Sequence, residues 1–292
     1  KIIKPDVGVI TNISYAHIKN FENINQIALA KSEIIENIKD DGHLILNKDD
    51  KFYNFHKKIA LKRNLKILSF SLKNKSATIN LDSISKEKSK YKISININKA
   101  KKFFYSNSFF ENDLKNLLAS ITIISIFKDI HKLDENIFYD HKVIIGRGDI
   151  VKVKIFKKNL YLVDESYNSN PLSLKSALKN FDMIKVDNSK KHLVLGDMLE
   201  LGKHSKKLHM EIGKIINKTS LKNINIIGEH VKWIFNNLNK SKRGIVIKKK
   251  SQIIDLIKNN LNNNDYLMIK GSNSTGLNSL TSQIKKGKIN AL

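Results

Sequence analysis

Four stretches of this sequence place side chains where they could do chemistry. The apolar run Val7-Gly8-Val9-Ile10 gives way to a polar loop, Thr11-Asn12-Ile13-Ser14-Tyr15-Ala16-His17. A loop at the carboxyl end of a buried parallel strand is where open α/β sheets bind ligands. His17 there is a candidate metal ligand, although a lone histidine is more often a structural hydrogen-bonding group, and its spacing leaves both open. Next, Ile24, Ile27, Ala28, Ile34, Ile35 and Ile38 form an apolar stripe at helical spacing, and Lys31 falls within it. A lysine so placed must snorkel, pair or be modified, because burying an unpaired ammonium is expensive. Arg147 stands between two glycines in Gly146-Arg147-Gly148, and its planar fork suits phosphate and resists deprotonation. Finally, Asp164-Glu165-Ser166-Tyr167-Asn168-Ser169-Asn170-Pro171 packs carboxylates, amides and hydroxyls into eight residues. Asn170 before Pro171 also reads as a helix start, with a capping side chain and proline at the first helical position.

The elements that must hold these groups fall into two sets. Val7–Ile10, His43–Leu46 and Leu65–Phe70 read as short buried strands, with a helix over 24–38 between the first two. From Ala77 to Phe110 the pattern turns to period-two alternation, as in Tyr91-Lys92-Ile93-Ser94-Ile95-Asn96-Ile97, which predicts antiparallel hairpins. An apolar helix over 114–127 closes this half. After Gly146-Arg147-Gly148, strands at 150–156 and 160–163 flank a Lys-Lys-Asn turn. Helices then alternate with short apolar strands at 192–195, 224–227, 244–247 and 267–269, which predicts a second parallel sheet wrapped by helices. The boundary is placed so that 1–146 and 147–292 form two α/β domains.

Composition narrows the function classes. A chain of 292 residues can bury two cores. There is no cysteine, hence no disulfide, thiolate metal site or thiol nucleophile. No run reaches the roughly eighteen apolar residues of a membrane span, so no membrane partner is expected and the protein is read as soluble and cytoplasmic. A net charge of +26 would ordinarily suggest nucleic acid. Here Lys, Asn and Ile are abundant throughout, whereas arginine occurs only at Arg63, Arg147 and Arg243. That is a background bias rather than a basic face, and no nucleic-acid partner is expected. The chain opens on Lys1 rather than Met, directly ahead of a strand, and reads as a fragment.

Pro5-Asp6-Val7-Gly8-Val9-Ile10-Thr11-Asn12-Ile13, then Ala16-His17, then Ala28-Leu29-Ala30-Lys31-Ser32-Glu33, resembles the central ATPase domain of the Mur ligases. In that family the histidine helps bind magnesium, and the lysine is carbamylated in several members. The resemblance therefore makes His17 and Lys31, as its carbamate, the expected metal site. A carbamate would turn the lysine tip into an anionic oxygen donor, which hard Mg2+ prefers. Ser14 and Tyr15 depart from the family, which usually has Gly and often Pro there. Leu46-Asn47-Lys48-Asp49-Asp50 resembles its Asn-x-Asp-Asp segment. Asp113-Leu114-Lys115-Asn116-Leu117-Leu118-Ala119 resembles the stretch that touches adenine; the customary His and first Asn are replaced by Asn112 and Asp113, so only Asn116 is carried over. By the same resemblance Arg147 reaches ATP phosphate and Asp164 the ribose hydroxyls.

The run from Asp164 to Pro171 is similar to the Asp-x-Tyr-Asn-Ala-Asn-Pro signature of the branch that adds D-alanyl-D-alanine. Leu195-Gly196-Asp197-Met198-Leu199-Glu200-Leu201-Gly202, with Ser205 and His209 after it, is typical of that branch too. Met268-Ile269-Lys270-Gly271-Ser272 resembles its Lys-Gly-Ser. The resemblance thus implies a central ATPase domain followed by a Rossmann-like carboxyl-terminal domain. It implies an ATP- and Mg2+-dependent carboxylate–amine ligase, a monomer. That ligase would join D-alanyl-D-alanine to UDP-N-acetylmuramoyl-tripeptide through an acyl phosphate, in peptidoglycan synthesis. Asn168, Asn170, Lys270 and Ser272 would orient the peptide substrates, and the two domains would close over them. Alternatives are another ligase of the superfamily, either a diaminopimelate- or lysine-adding Mur ligase or a folylpolyglutamate synthase, or a non-catalytic basic binding module. No Gly-x-x-Gly-Lys-Thr-like phosphate loop occurs, and Gly271-Ser272-Asn273-Ser274-Thr275-Gly276 lacks the lysine to replace one. The family places that loop, and a uridine-nucleotide domain, ahead of the point where this chain begins. The expectation is a truncated sequence that is inactive alone, with a pseudoenzyme as the other reading.

Overall fold

The structure is a computed structural model, and it describes residues 3–15, 18–97, 100–139 and 145–289. Backbone contacts divide the chain into two compact units, one of Lys1–Ser14 with Asn23–Lys142 and one of Tyr15–Glu22 with Val143–Leu292. His17, the expected metal ligand, lies outside the described residues. No helix among the described residues is long and apolar enough to cross a membrane.

In the first unit β1 (Val7–Ile10), β2 (His43–Asn47) and β3 (Lys66–Ser71) are parallel. β3 then meets β4 (Ile79–Glu87) in parallel over two residues, and β4, β5 (Lys90–Ile97) and β6 (Ala100–Ser106) continue as antiparallel hairpins. The six strands lie in chain order in one sheet. Helix α1 (Ile24–Asn37) starts at Asn23, whose side chain accepts from the amides of Asn25 and Gln26 at 3.0 and 3.2 Å. Helix α2 (Tyr53–Lys62) follows β2. It has no side-chain cap and only His56 and Ala60 buried, so its sequence carries little helical signature. Helix α3 (Glu111–Phe127) presses Leu114, Leu117, Leu118 and Ile121 onto Phe70, Ile79, Ile93, Ile95 and Phe104 of the sheet. Removing that apolar surface from water is the main force holding hairpins and parallel strands together.

The second unit is built from β7 (Asp149–Ile155), β8 (Lys158–Glu165), α4 (Pro171–Asp182), β9 (Lys191–Gly196), α5 (Ser205–Asn217), β10 (Ile224–Ile227), α6 (Lys232–Asn236), β11 (Arg243–Ile247), α7 (Ser251–Asn260), β12 (Tyr266–Lys270) and α8 (Leu277–Lys285). Its sheet order is β11-β10-β9-β12-β8-β7, parallel except for the β7–β8 hairpin. That hairpin turns at Phe156-Lys157, both at positive φ, one residue before the Lys-Lys-Asn expected from sequence. A two-residue turn of this hand matches the twist of its strands, and here it does so without glycine or asparagine. Ile253, Leu256 and Ile257 of α7 and Leu277, Leu280 and Ile284 of α8 cover one face of the sheet. Crossover connections of this kind bring the carboxyl ends of β8, β12 and β9 side by side.

Candidate functional site

In the first unit the loop after β1 is held by the segment after β2. The Asn47 side-chain amide donates to Thr11 O at 2.9 Å, and the Asp50 carboxylate accepts from the amides of Ile13 and Phe52, each at 2.8 Å. Asp49 reaches the other way, accepting from Ser71 Oγ at 2.5 Å and Leu72 N at 2.7 Å. Asn47, Asp49 and Asp50 thus clasp the carboxyl ends of β1, β2 and β3, a role the sequence did not reveal. Lys31 aims its ammonium back at this loop, with Nζ 3.0 Å from Asn12 O. The residue is exposed, and the buried face of α1 is Ile27, Ala28, Ser32 and Ile35, with Ile34 outward. Lys31 therefore sits beside the apolar stripe and not within it. Desolvation of the ammonium end lowers Lys31 from its ordinary value, with Asp50 opposing. A lowered lysine has more free amine, the form from which a carbamate is made. Asn116 is exposed on α3.

In the second unit four sequence motifs meet along the carboxyl edge of the sheet. Gly146 and Gly148 both adopt left-handed backbone, at φ +81 and +100, and so lift Arg147 out of the chain. A Cβ on Gly146 would lie 3.0 Å from Tyr167 Cβ, so this turn also needs glycine for space. The Arg147 guanidinium lies 4.6 Å from the Tyr167 ring centroid, and Tyr167 N donates to Gly146 O at 3.0 Å. Strand alternation sends the two acids at the end of β8 to opposite faces. Asp164 is buried; its Oδ1 accepts from Ser166 N and Oγ, and its Oδ2 from Lys285 Nζ. Glu165 turns to the other side and accepts from Lys270 Nζ at 3.1 Å.

Lys270 is 1% exposed and also donates to Asn168 O at 3.1 Å. Its burial pushes the ammonium below the ordinary lysine value, against the opposing pull of Glu165. Ser272 is buried as well, donating to Ser169 O at 3.2 Å and accepting from Leu199 N at 2.8 Å. Asn170 caps α4, its side chain accepting from Ser173 N at 2.9 Å while Ser173 Oγ accepts from Asn170 N at 3.0 Å. Asn168 is exposed, its amide oxygen accepting from Ser169 N at 2.8 Å. Of the sequence-expected residues in this unit, Arg147 and Asn168 thus face solvent, while Asp164, Lys270 and Ser272 turn their polar groups inward and hold loops. Glu165, Asp149 and Lys285 were not anticipated; only the strand alternation next to Asp164 could have singled out Glu165.

The segment Gly196–Gly202 folds on itself. Asp197 accepts from the amides of Glu229 and Val231 at 3.1 and 2.7 Å, closing the turn after β10 at Gly228, whose φ is +131. Lys19, in the part of the chain grouped with this unit, donates its amide to Glu200 O at 2.9 Å. His209 is fully buried, with Nδ1 2.8 Å from Ser205 O and Nε2 3.2 Å from Met198 N. A carbonyl can only accept and an amide can only donate, so the ring must carry its proton on Nδ1 and be neutral. Desolvation, the largest cause, lowers His209 from its ordinary value of 6.5, and it does the same to His192 beside Asp265.

Both rings bind protons less readily folded than unfolded. Their stability is therefore full above about pH 6.5 and is lost as the pH falls from there towards the folded values. Urea unfolding between pH 7.5 and 5 is expected to show stability falling with acid, each ring contributing at most about 1.4 kcal/mol per pH unit. His209→Gln should flatten the profile. An equally steep profile in that variant would assign the loss to other groups.

Residues 1–124 match the Mur ligase middle domain, and residues 146–273 match the Mur ligase glutamate ligase domain. The chain is 29% identical, over 96% of its own length and 61% of the relative's, to the UDP-N-acetylmuramoyl-tripeptide–D-alanyl-D-alanine ligase of Rickettsia prowazekii. It is 28% identical to the enzyme of the same name from Buchnera aphidicola, over 98% of this chain and 60% of that one. Among solved structures it resembles a MurF ligase of Thermotoga maritima in complex with ADP, with a TM-score of 0.81 at 20% identity, covering 98% of this chain and 63% of that one. It resembles MurF from Acinetobacter baumannii with a TM-score of 0.80 at 22% identity, covering 98% and 60%. The chain spans about 60% of the length of the curated relatives it matches.

Proposed function

Because the chain belongs to the Mur ligase family, we propose that it is the middle and carboxyl-terminal part of an ATP-dependent ligase that adds D-alanyl-D-alanine to UDP-N-acetylmuramoyl-tripeptide. One observation carries this reading. Motifs from 21 to 103 residues apart in sequence are joined by direct hydrogen bonds at one sheet edge: Tyr167 to Gly146, Lys270 to Asn168, and Ser272 to both Ser169 and Leu199. The relatives matching nearly the whole chain carry that activity in their names. The reading carries with it a cytoplasmic, monomeric enzyme.

The reaction has a charge problem. The substrate carboxylate attacks the γ-phosphorus of ATP, ADP leaves, and the acyl phosphate is then attacked by the dipeptide amine, which loses a proton as inorganic phosphate departs. Carboxylate, triphosphate and tetrahedral intermediate are all anionic, so catalysis must come from fixed positive charge and donors aimed where negative charge develops. Arg147, raised by two left-handed glycines and braced on Tyr167, offers a fork to phosphate oxygens. Asn116 and the Asp164–Glu165 strand end would position the nucleotide, and Asn168 with Asn170 the peptide substrates. Lys270 and Ser272 act on this reading as positioning residues, holding the Asn168–Ser169 loop against β12.

The Lys31 environment fits a magnesium site. Its amine is partly desolvated beside the Asp50 carboxylate, and as a carbamate it would provide a hard oxygen donor, with the His17 imidazole nitrogen as the other expected ligand. Magnesium bound there would neutralise phosphate charge. These 292 residues contain no glycine-rich phosphate loop. Isothermal titration is therefore expected to show the chain alone binding ATP weakly, and phosphate release should stay at background with both substrates present. Ligase turnover by the chain alone would overturn the assignment of the phosphate cradle to a preceding segment.

A further inference from the structure

Helix α8 reaches into the site through two side chains. Lys285 Nζ lies 2.5 Å from both Asp149 Oδ2 and Asp164 Oδ2, and the Thr281 hydroxyl lies 2.9 Å from Ser166 Oγ. Each partner of Lys285 is itself tied to the turn that presents Arg147. Asp149 Oδ1 accepts from Gly146 N at 2.8 Å, and Gly148 N donates to the main-chain oxygen of Asp164 at 2.8 Å. Asp164 Oδ1 accepts from Ser166 N at 3.0 Å, next to the Tyr167 on which Arg147 stacks. One ammonium thus bridges the side chains of two residues that hold the turn, Asp149 through its carboxylate at Gly146 and Asp164 through its main-chain oxygen at Gly148.

We propose that Lys285 is a positioning residue for Arg147. Asp164 is 2% exposed, and without Lys285 it and Asp149 would be two like charges facing each other, one of them out of water. Such a pair separates or takes up a proton, because desolvation and mutual repulsion both disfavour two anions. Either response moves Asp149 or Asp164, and with it Gly146 or Gly148. Arg147 then leaves Tyr167. Lysine can bridge the two carboxylates because its head is a compact charge with three donors on a flexible stem. The consequence for nucleotide binding rests on the ligase reading above; the geometric claim does not.

The experiment uses the small number of arginines. With arginine only at 63, 147 and 243, a spectrum of 15N-labelled arginine Nε–H groups should contain three signals, with Arg147 displaced by the ring current of Tyr167. Lys285→Met is expected to move the Arg147 signal towards its free position while Arg63 and Arg243 stay fixed, and Lys285→Arg, which adds a fourth signal of its own, to restore it. An Arg147 signal unmoved by Lys285→Met would overturn the proposal, whatever the activity. If Lys285→Met also loses the Arg63 and Arg243 signals, the milder Lys285→Gln takes its place, with the same expectation and the same refuting result. In the enzyme extended to the length of its relatives, Lys285→Met should raise the KM for ATP about tenfold or more and leave the KM for D-alanyl-D-alanine unchanged. Arg147 movement in an extended chain with no ligase turnover would retain the positioning role and reject the ligase reading.

Discussion

Lys31→Ala, made in the enzyme extended to the length of its relatives, is expected to lower ATP-dependent turnover about a thousandfold or more, the scale of losing a fixed metal ligand at developing phosphate charge. The loss should come with almost no loss of stability. Lys31 is exposed, and among the described residues its ammonium donates to Asn12 O alone. Surface contacts of that kind contribute about 1 kcal/mol or less. Phosphate release and urea unfolding on the same preparation separate the two effects. Lys31→Arg should not rescue, because a guanidinium stays protonated and offers no free amine to carbon dioxide. Turnover within about tenfold of the parent in either variant would mean that Lys31 is not the metal ligand.

Arg147→Ala is expected to reduce kcat/KM for ATP by about a hundredfold to a thousandfold. Arg147→Lys should recover only part of this. Lysine keeps the charge but loses both the fork for phosphate and the planar face stacked on Tyr167. The other two arginines show how this lysine-rich chain uses the fork. Arg63 donates to the carbonyls of Glu36 and Ile38, where α1 ends, and Arg243 to those of Asn236 and Leu238, where α6 ends. Both bind several main-chain oxygens at once, which a point charge does less well. If Arg147→Lys worked as well as the parent, Arg147 would be acting as a charge alone.

The alternation of apolar strands and helices in the carboxyl-terminal half, and the period-two hairpins after Ala77, were legible because each element buries a face whose period shows in the sequence. Helix α2 was not legible, since two buried residues leave almost no period. Within the candidate site the turn that presents Arg147 was legible, because a glycine on either side of one residue marks left-handed backbone, which both adopt. Lys31 was half legible. Its helical register suggested burial, yet the chain turns Ile34 outward, buries Ser32, and leaves Lys31 exposed with only its tip against the β1 loop.

What the sequence could not reveal is which polar residues are spent on holding loops. Asp164, Lys270 and Ser272 sit in stretches rich enough to read as substrate contacts, but their partners are Lys285, Glu165, Asn168, Ser169 and Leu199. Lys285 is one of many lysines and lies 121 residues from Asp164, so no local pattern marks it. The histidine of the Gly-Asp-Met segment is similar. Its spacing from Met198 fits a helix following a loop, but only the fold shows Nε2 closing back on the Met198 amide.

The most direct measurement is mass spectrometry of the nucleotide product made by the extended enzyme from ATP, Mg2+, UDP-N-acetylmuramoyl-tripeptide and D-alanyl-D-alanine. The account predicts a UDP-linked product heavier than the tripeptide substrate by the dipeptide less one water, formed in step with ADP and only when both substrates are present. ADP release that instead tracks a free amino acid or glutamate, or no product under any of these conditions, would contradict it.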